Sequence, residues 1–519
     1  MRKIALMLCL VLILTSFSAC GNEPAAPTGT APVQTVPPTL PEEMEAPGSL
    51  DTEDEIFSLA YFPEQGFNPY TCTSFNNRML FSLIYQGLFA VDRDYNAVPI
   101  LCKSFTVTDD LKTYTFRLES ATFSDGSYLT AEDVVASLEA AKASDMYVGR
   151  FDRITEVVAV GERSVQITTN SAYENLPLLL DIPIVKASQV AESQPTGTGP
   201  YQVSQTAGGL VLKLQKNWWC SAELPVDTSV IPLQAVSTIA EIRDCFEFGD
   251  LGFSISDPGT ASYAEYRCDY ELWEAESGLF LYLCCNTESD VFSDNRVRAA
   301  LTYAIDRSRV LEECYQGFGS PAILAASPKS PFYDQSLADS AAYDPAVFEQ
   351  AVADAGMIGR KVVLLVNKND SVRLQAARLI GQMMTDCGLE VEVLDHSTPY
   401  YLEKLKGDEY DLYLGQTKLS PTMDLSQFFI IYGALSYADL DDSATYSMCR
   451  AALENSGNFY NLHQMILKDG QLVPVLFRTY AVYAKRGLTQ ELEPARDNIF
   501  SYTLGKSIEE IRTIDYQDD

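Results

Sequence analysis

Histidine is nearly missing from this sequence. The 519 residues hold two, His396 and His463, in separate segments. Metal centres and His-dependent catalysis draw on that side chain, so both lose most of their raw material. Positive charge is also scarce. Lys and Arg total 37 against 71 Asp and Glu, a formal charge of −34. So acidic a chain repels nucleic-acid phosphates and anionic lipid surfaces, which sets nucleic-acid binding aside. The cysteines show no CxxC and no zinc-type spacing. GxSxG and HExxH are absent, which removes two common signatures of secreted hydrolases. Gly197 and Gly199 open no GxGxxG or GxxxxGK[ST], and Pro200 stands where a phosphate-binding helix would begin. A turn into a strand is expected there instead. Beyond residue 20, no run approaches the roughly eighteen apolar residues that span a bilayer.

What is present is ordinary globular material. Hydrophobic residues make up 47% of the chain, enough for several cores, and the length allows roughly three domains at ~100–200 residues each. The N-terminus is different. Arg2 and Lys3 precede the apolar run Ile4 to Leu14, and small residues lead to Ser18-Ala19-Cys20. Residues 1–19 are expected to be a secretory signal, too short for a usual transmembrane helix. A cysteine directly after the small residues resembles a bacterial lipobox, with Phe17 where leucine is usual. That resemblance implies lipid attachment at Cys20. Residues 20–50 are rich in Pro, Ala and Thr and poor in large apolar side chains. They cannot bury a core and read as a disordered tether.

The body alternates strand and helix patterns. Glu55 to Tyr61 reads as a first strand, Asn68-Pro69 as a turn, and Arg78 to Leu88 as a helix by apolar spacing. Thr113 to Leu118 alternates as a half-buried strand does. Thr130, with Asp133 three positions on, predicts a capped helix start. Residues 155–170 predict a hairpin around Gly161-Glu162, and two further strands follow within 196–216. Asp294 is expected to cap a helix whose apolar face holds Val297, Leu301, Ala304 and Ile305. Residues 362–394 form a strand–helix–strand unit, which implies a parallel pair and an α/β domain. Cys284 and Cys285 are adjacent on a strand, so their thiols should face opposite sides as buried free thiols.

Several of these segments together resemble family 5 of the bacterial solute-binding proteins. They are Phe123-Ser-Asp-Gly126 with Leu129-Thr-Ala-Glu-Asp-Val-Val135, then Gly197-Thr-Gly-Pro-Tyr201, Asn217-Trp-Trp219 and Phe248-Gly-Asp250. Asp294 to Arg307 (DNRVRAALTYAIDR), Tyr410 to Gly415 and Val473-Pro-Val-Leu476 complete the series. The order is the family's, and the matches span about residues 55 to 485.

The resemblance implies an α/β, periplasmic-binding-protein type II-like fold. Two α/β lobes flank a hinge, with an extra domain inserted in the first. Lobe I is expected over 51–92, 195–287 and 480–519, the inserted domain over 93–194, and lobe II over 288–479. It also implies a monomer without cofactor or metal, not an enzyme. Such a protein captures a small solute, an oligopeptide in the first instance, and hands it to an ABC permease and ATPase complex. A glycoside, an opine, a metal chelate or a sensing role are alternatives, and a secreted hydrolase is a third.

Peptide-binding members carry an aspartate after the strand equivalent to Tyr410 to Gly415, and it pairs with the peptide's ammonium. Here that position is Leu419, no Trp follows Gly415, and Lys418 adds positive charge. Asp424 comes five residues later, either as a ligand or as a cap for the helix that follows. The candidate ligand contacts are therefore Asn68, Tyr70, Trp218, Trp219, Gln416, Lys418 and Asp424.

Overall fold

The computed structural model describes residues 57–512 apart from 262, 264, 408, 439, 490, 491 and 503. The expected signal, Cys20, the tether and the start of the first strand lie outside the described residues.

A seven-stranded sheet dominates. Its spatial order is Phe253–Ser256, Leu472–Lys485, Tyr270–Cys285, Leu412–Lys418, Lys361–Asn367 and Glu390–His396, with Gly319–Pro321 paired to Leu472–Lys485. Lys361–Asn367 runs parallel to both its neighbours, and the other links are antiparallel. The expected strand–helix–strand unit is Lys361–Asn367, Ser371–Asp386 and Glu390–His396.

Both faces of this sheet are buried, and strand periodicity sorts the side chains between them. Leu281, Leu283 and Cys285 enter one core, under the helices Asn295–Ala304, Arg307–Tyr315 and Ser371–Asp386. Phe280, Tyr282 and Cys284 enter the other, with the helices Ser443–Glu454 and Phe459–Asp469. The adjacent cysteines therefore part to opposite faces, and both are buried and free.

The DNRVRAALTYAIDR segment is structural. Asp294 caps its helix by accepting from the Arg296 amide. Buried Arg307 donates to the carbonyls of Thr302, Ile305, Ala322 and Pro474 and to the Thr302 hydroxyl. It thereby stitches the helix to the central strand.

The N-terminal half holds two four-stranded sheets and a two-stranded one, Phe89–Val91 with Ala97–Pro99. Leu59–Tyr61 pairs in parallel with Val230–Ala235, which continues antiparallel into the hairpin Gly209–Leu214 and Tyr201–Thr206. The second four-stranded sheet is antiparallel, ordered Cys102–Val107, Thr113–Leu118, Ser164–Thr169, Ile154–Ala159. The Ala131–Lys142 helix lies nearby, with the expected capping box between Thr130 and Asp133. One apolar cluster runs through both four-stranded sheets, including Phe89, Phe116, Leu138, Ile167 and Tyr201.

One expectation fails. Arg78 to Leu88 is not a continuous helix but two short ones, Phe75–Met79 and Phe81–Ile84, after which Tyr85 is extended. Tertiary contact overrides the local period. Gly199 donates its amide to the Ile84 carbonyl at 2.9 Å, so that carbonyl serves the neighbouring chain. Gly197 allows the approach, since a Cβ there would sit 2.1 Å from the same oxygen.

His463 is 1% exposed, and neither ring nitrogen has a partner. Burial pushes its pKa down to about 4. The unfolded chain, with an ordinary value near 6.5, binds more protons between those limits, so stability falls as pH drops from about 6.5 to 4. His463→Leu should remove that dependence and raise neutral-pH stability by roughly 1–3 kcal/mol, the cost of the unpaired buried nitrogens. Urea unfolding of both proteins at pH 7 and pH 5 checks this.

Candidate functional site

A β-bulge shapes the site. Where Tyr270–Cys285 pairs with Leu472–Lys485, the register shifts between Glu276 and Phe280. Gly278 sits there with φ +70°, a conformation glycine adopts without strain. The freed backbone groups recruit other segments. Gly278 accepts a hydrogen bond from the Leu419 amide at 3.0 Å, and Glu276 accepts one from the Asp497 amide at 3.0 Å. The Glu276 carboxylate, 2% exposed, is held by Lys329 at 2.9 Å and by the Tyr95 hydroxyl at 3.2 Å. A Cβ on Gly278 would lie 2.5 Å from the Arg496 guanidinium carbon, so glycine is also what admits that side chain.

Beside this junction lies a cavity of about 600 Å³, a size suited to a small-molecule ligand. Its wall is assembled from distant parts of the chain. Arg78 comes from the short helix Phe75–Met79, Tyr147 to Arg150 from the segment after Ala131–Lys142, and Thr417 to Ser420 from the end of Leu412–Lys418. Asp424, Gln427, Arg496 to Asn498 and Tyr502 complete it.

The electrostatics follow from burial. Arg150 pairs with Asp181, donates to the Leu179 carbonyl at 3.0 Å, and stacks over Tyr147 and Phe151. Burial, with repulsion from Arg496, lowers its pKa to about 10. Lys418 pairs with Asp497, yet burial, with Arg496 and Arg78 adding to it, brings Lys418 down to about 8. Burial would raise Asp497, but Lys418, Arg496 and Arg78 together hold it below the usual carboxylate range. Arg496 donates to the Leu419 carbonyl.

The structure distributes the sequence-derived candidates unevenly. Lys418 and Asp424 stand in the cavity wall. Asp424 accepts from the Ser426 amide at 2.8 Å, and its other oxygen is 3.6 Å from Arg153, while the cap position of the following short helix is Leu425. Asn68 spends its amide on the Val190 and Glu192 carbonyls and its oxygen on the Tyr70 amide. The Tyr70 hydroxyl donates to the Pro183 carbonyl at 2.7 Å. Trp218 and Trp219 donate to Thr198 and Gln86. Gln416 accepts from Arg478 at 2.8 Å. These five residues support segments around the cavity rather than line it.

Sequence reasoning missed Arg78, Arg150, Arg496 and Asp497. The one available signal was Arg78, a single charge inside the otherwise uncharged stretch Phe75 to Gln86. Among the described residues, no cluster of three or more His, Cys, Asp or Glu side chains could hold a metal. Burial raises the pKa of all ten described cysteines, so none is an activated thiolate.

The fold defines the class: a mixed α/β architecture like that of the type II periplasmic-binding proteins. The substrate-binding protein CtaP from Listeria monocytogenes matches with a TM-score of 0.70 at 16% identity, over 86% of this chain and 97% of that one. NikA from Brucella suis, solved with Fe(III)-EDTA, matches with a TM-score of 0.67 at 17% identity, over 83% and 96%. The model of the bacterial extracellular solute-binding proteins, family 5, matches residues 96–437, and the chain belongs to that family. A curated relative is the glutathione-binding protein GsiB of Escherichia coli O1:K1 / APEC, 26% identical over 345 residues. That match covers 63% of this chain and 66% of the relative, so the chain spans just under two thirds of the curated proteins it matches.

Asp497→Asn would leave Lys418 without its ion-pair partner, beside the Arg496 and Arg78 charges. Breaking a buried pair costs several kcal/mol, and solvent at Lys418, whose side chain is 35% exposed, reduces this to about 1–3 kcal/mol. Chemical denaturation should show that loss, and an unchanged midpoint would contradict the assigned role of Asp497.

Proposed function

We propose that this protein is the solute receptor of an ABC importer. It captures a peptide-like solute in the cavity between Arg78, Arg150, Lys418 and Arg496 and passes it to a membrane permease and its ATPase. The observation that carries the reading is a ligand-sized cavity whose wall comes from segments far apart in sequence. That is how a site closed by two lobes is built. Family membership and the GsiB relative support it. In this reading lobe I comprises 51–92, 195–287 and 480–519, the insertion 93–194, and lobe II 288–479. Lys418 and Asp424 face the solute, while Asn68, Tyr70, Trp218, Trp219 and Gln416 brace the wall. The protein works as a monomer outside the cytoplasm, held to the membrane by lipid on Cys20. Cys20→Ser should therefore release it from the membrane fraction, and retention of the variant there would rule out the lipid anchor.

A second reading, a non-peptide or N-blocked solute, is favoured by one observation. Asp424, the carboxylate the sequence offered for an ammonium, is already engaged by Arg153 and the Ser426 amide. Thermal unfolding against short peptides, free and N-acetylated, separates the two. A solute at 100 times its dissociation constant adds ~2.7 kcal/mol, a visible rise in melting temperature. We expect N-acetylation to change the response little. Loss of the response on acetylation would restore ammonium recognition as the main contact.

A further inference from the structure

The whole chain is strongly acidic, at −34, yet cations converge on the cavity. The wall also holds four carboxylates: Asp145 is exposed and makes no ion pair among the described residues, and the other three are engaged as follows. Arg150 is neutralised by Asp181. Asp424 is neutralised from outside the cavity by Arg153. Lys418 takes Asp497. Two guanidiniums are left over. Arg496 reaches Asp497 only through Nε at 4.0 Å, on the oxygen that Lys418 already holds. Its side chain is 4% exposed, and its Nη1 has no hydrogen-bond partner. Arg78 has no ion-pair partner among the described residues, and its Nε is also unpartnered. Both residues line the cavity. One carboxylate, Asp497, thus faces three cations, and its pKa responds to all three.

Buried charge without a partner is costly, and folded chains retain it mainly where a ligand completes the balance. A guanidinium is planar and presents forked donors that match a carboxylate's two oxygens. We propose that the cavity recognises an anionic solute, a small carboxylate-bearing molecule whose carboxylate lies between Arg78 and Arg496. The inference rests on the solute-receptor reading of the same cavity and names its substrate class. In the empty protein the guanidiniums repel one another, and the solute's carboxylate relieves that repulsion. Lys418 and Asp497 remain a pair and position Arg496 from behind. Short peptides satisfy the requirement through their C-terminus, and sugar acids or dicarboxylates through theirs.

Thermal unfolding of the full chain and of Arg78→Gln tests this at millimolar ligand and fixed ionic strength. The probes are glutarate, citrate, galacturonate, short peptides as free acids, and the same peptides as C-terminal amides. We expect one or more carboxylates to stabilise the wild type, the amide counterpart to fail, and Arg78→Gln to bind about 10- to 100-fold more weakly. We also expect ligand-free Arg78→Gln to melt at a higher temperature than wild type, because a repulsive charge is gone. Amides or neutral sugars that stabilise as well as acids would overturn the anion assignment while leaving the receptor reading intact. Should no probe of any charge bind, the receptor reading fails over that range, and the ligand-free comparison alone decides. A lower melting point for Arg78→Gln would mean a structural arginine and end the proposal, whereas a higher one upholds the unsatisfied cation cluster.

Discussion

The antiparallel pairing of Tyr270–Cys285 with Leu472–Lys485 is the constraint on which the rest depends. Two long strands share one ladder, and nearly every side chain along Leu472–Lys485 is buried. Period-two alternation therefore feeds two separate cores from a single strand. A perfect ladder would have used every backbone group internally. The bulge at Glu276 to Phe280 leaves a few unused, and the segments carrying Leu419 and Asp497 dock on them. Cavity and core are thus products of the same strand pair, one from its interruption and the other from its regularity.

Much of the fold could be read from the sequence, because local chemistry and tertiary structure agree there. The Thr130–Asp133 capping box, the hairpin around Gly161, the unit over 362–394 and the opposed Cys284 and Cys285 all follow from period or cap. The stretch Arg78 to Leu88 did not, because Gly197 and Gly199 lie far away in sequence and take the helix's backbone acceptor.

The site was less legible for a similar reason. Lys418 and Asp424 follow a recognisable strand, so a family pattern could point to them. Arg150, Arg496 and Asp497 acquire meaning only when four segments meet, and no spacing rule connects them. The tryptophans, candidate ligand contacts, lie outside the cavity wall and donate their indole N–H groups to Thr198 and Gln86. Asn68 and Tyr70 are likewise consumed by backbone groups. Aromatic and amide side chains near a cleft brace its walls as readily as they touch a ligand.

The chain as a whole is strongly acidic, whereas the cavity wall sets four cations against four carboxylates, and this divides the labour. The exterior keeps the protein soluble and repels anionic membrane lipid. The interior holds its cations in a low-dielectric pocket, where one unmatched charge interacts far more strongly than at the surface. Native mass spectrometry of the full chain, purified gently from cells that export it, tests this most directly. The structure predicts a one-to-one complex with a small solute that carries a negative charge, lost from Arg78→Gln. A cationic solute, or one retained equally by wild type and variant, would contradict it.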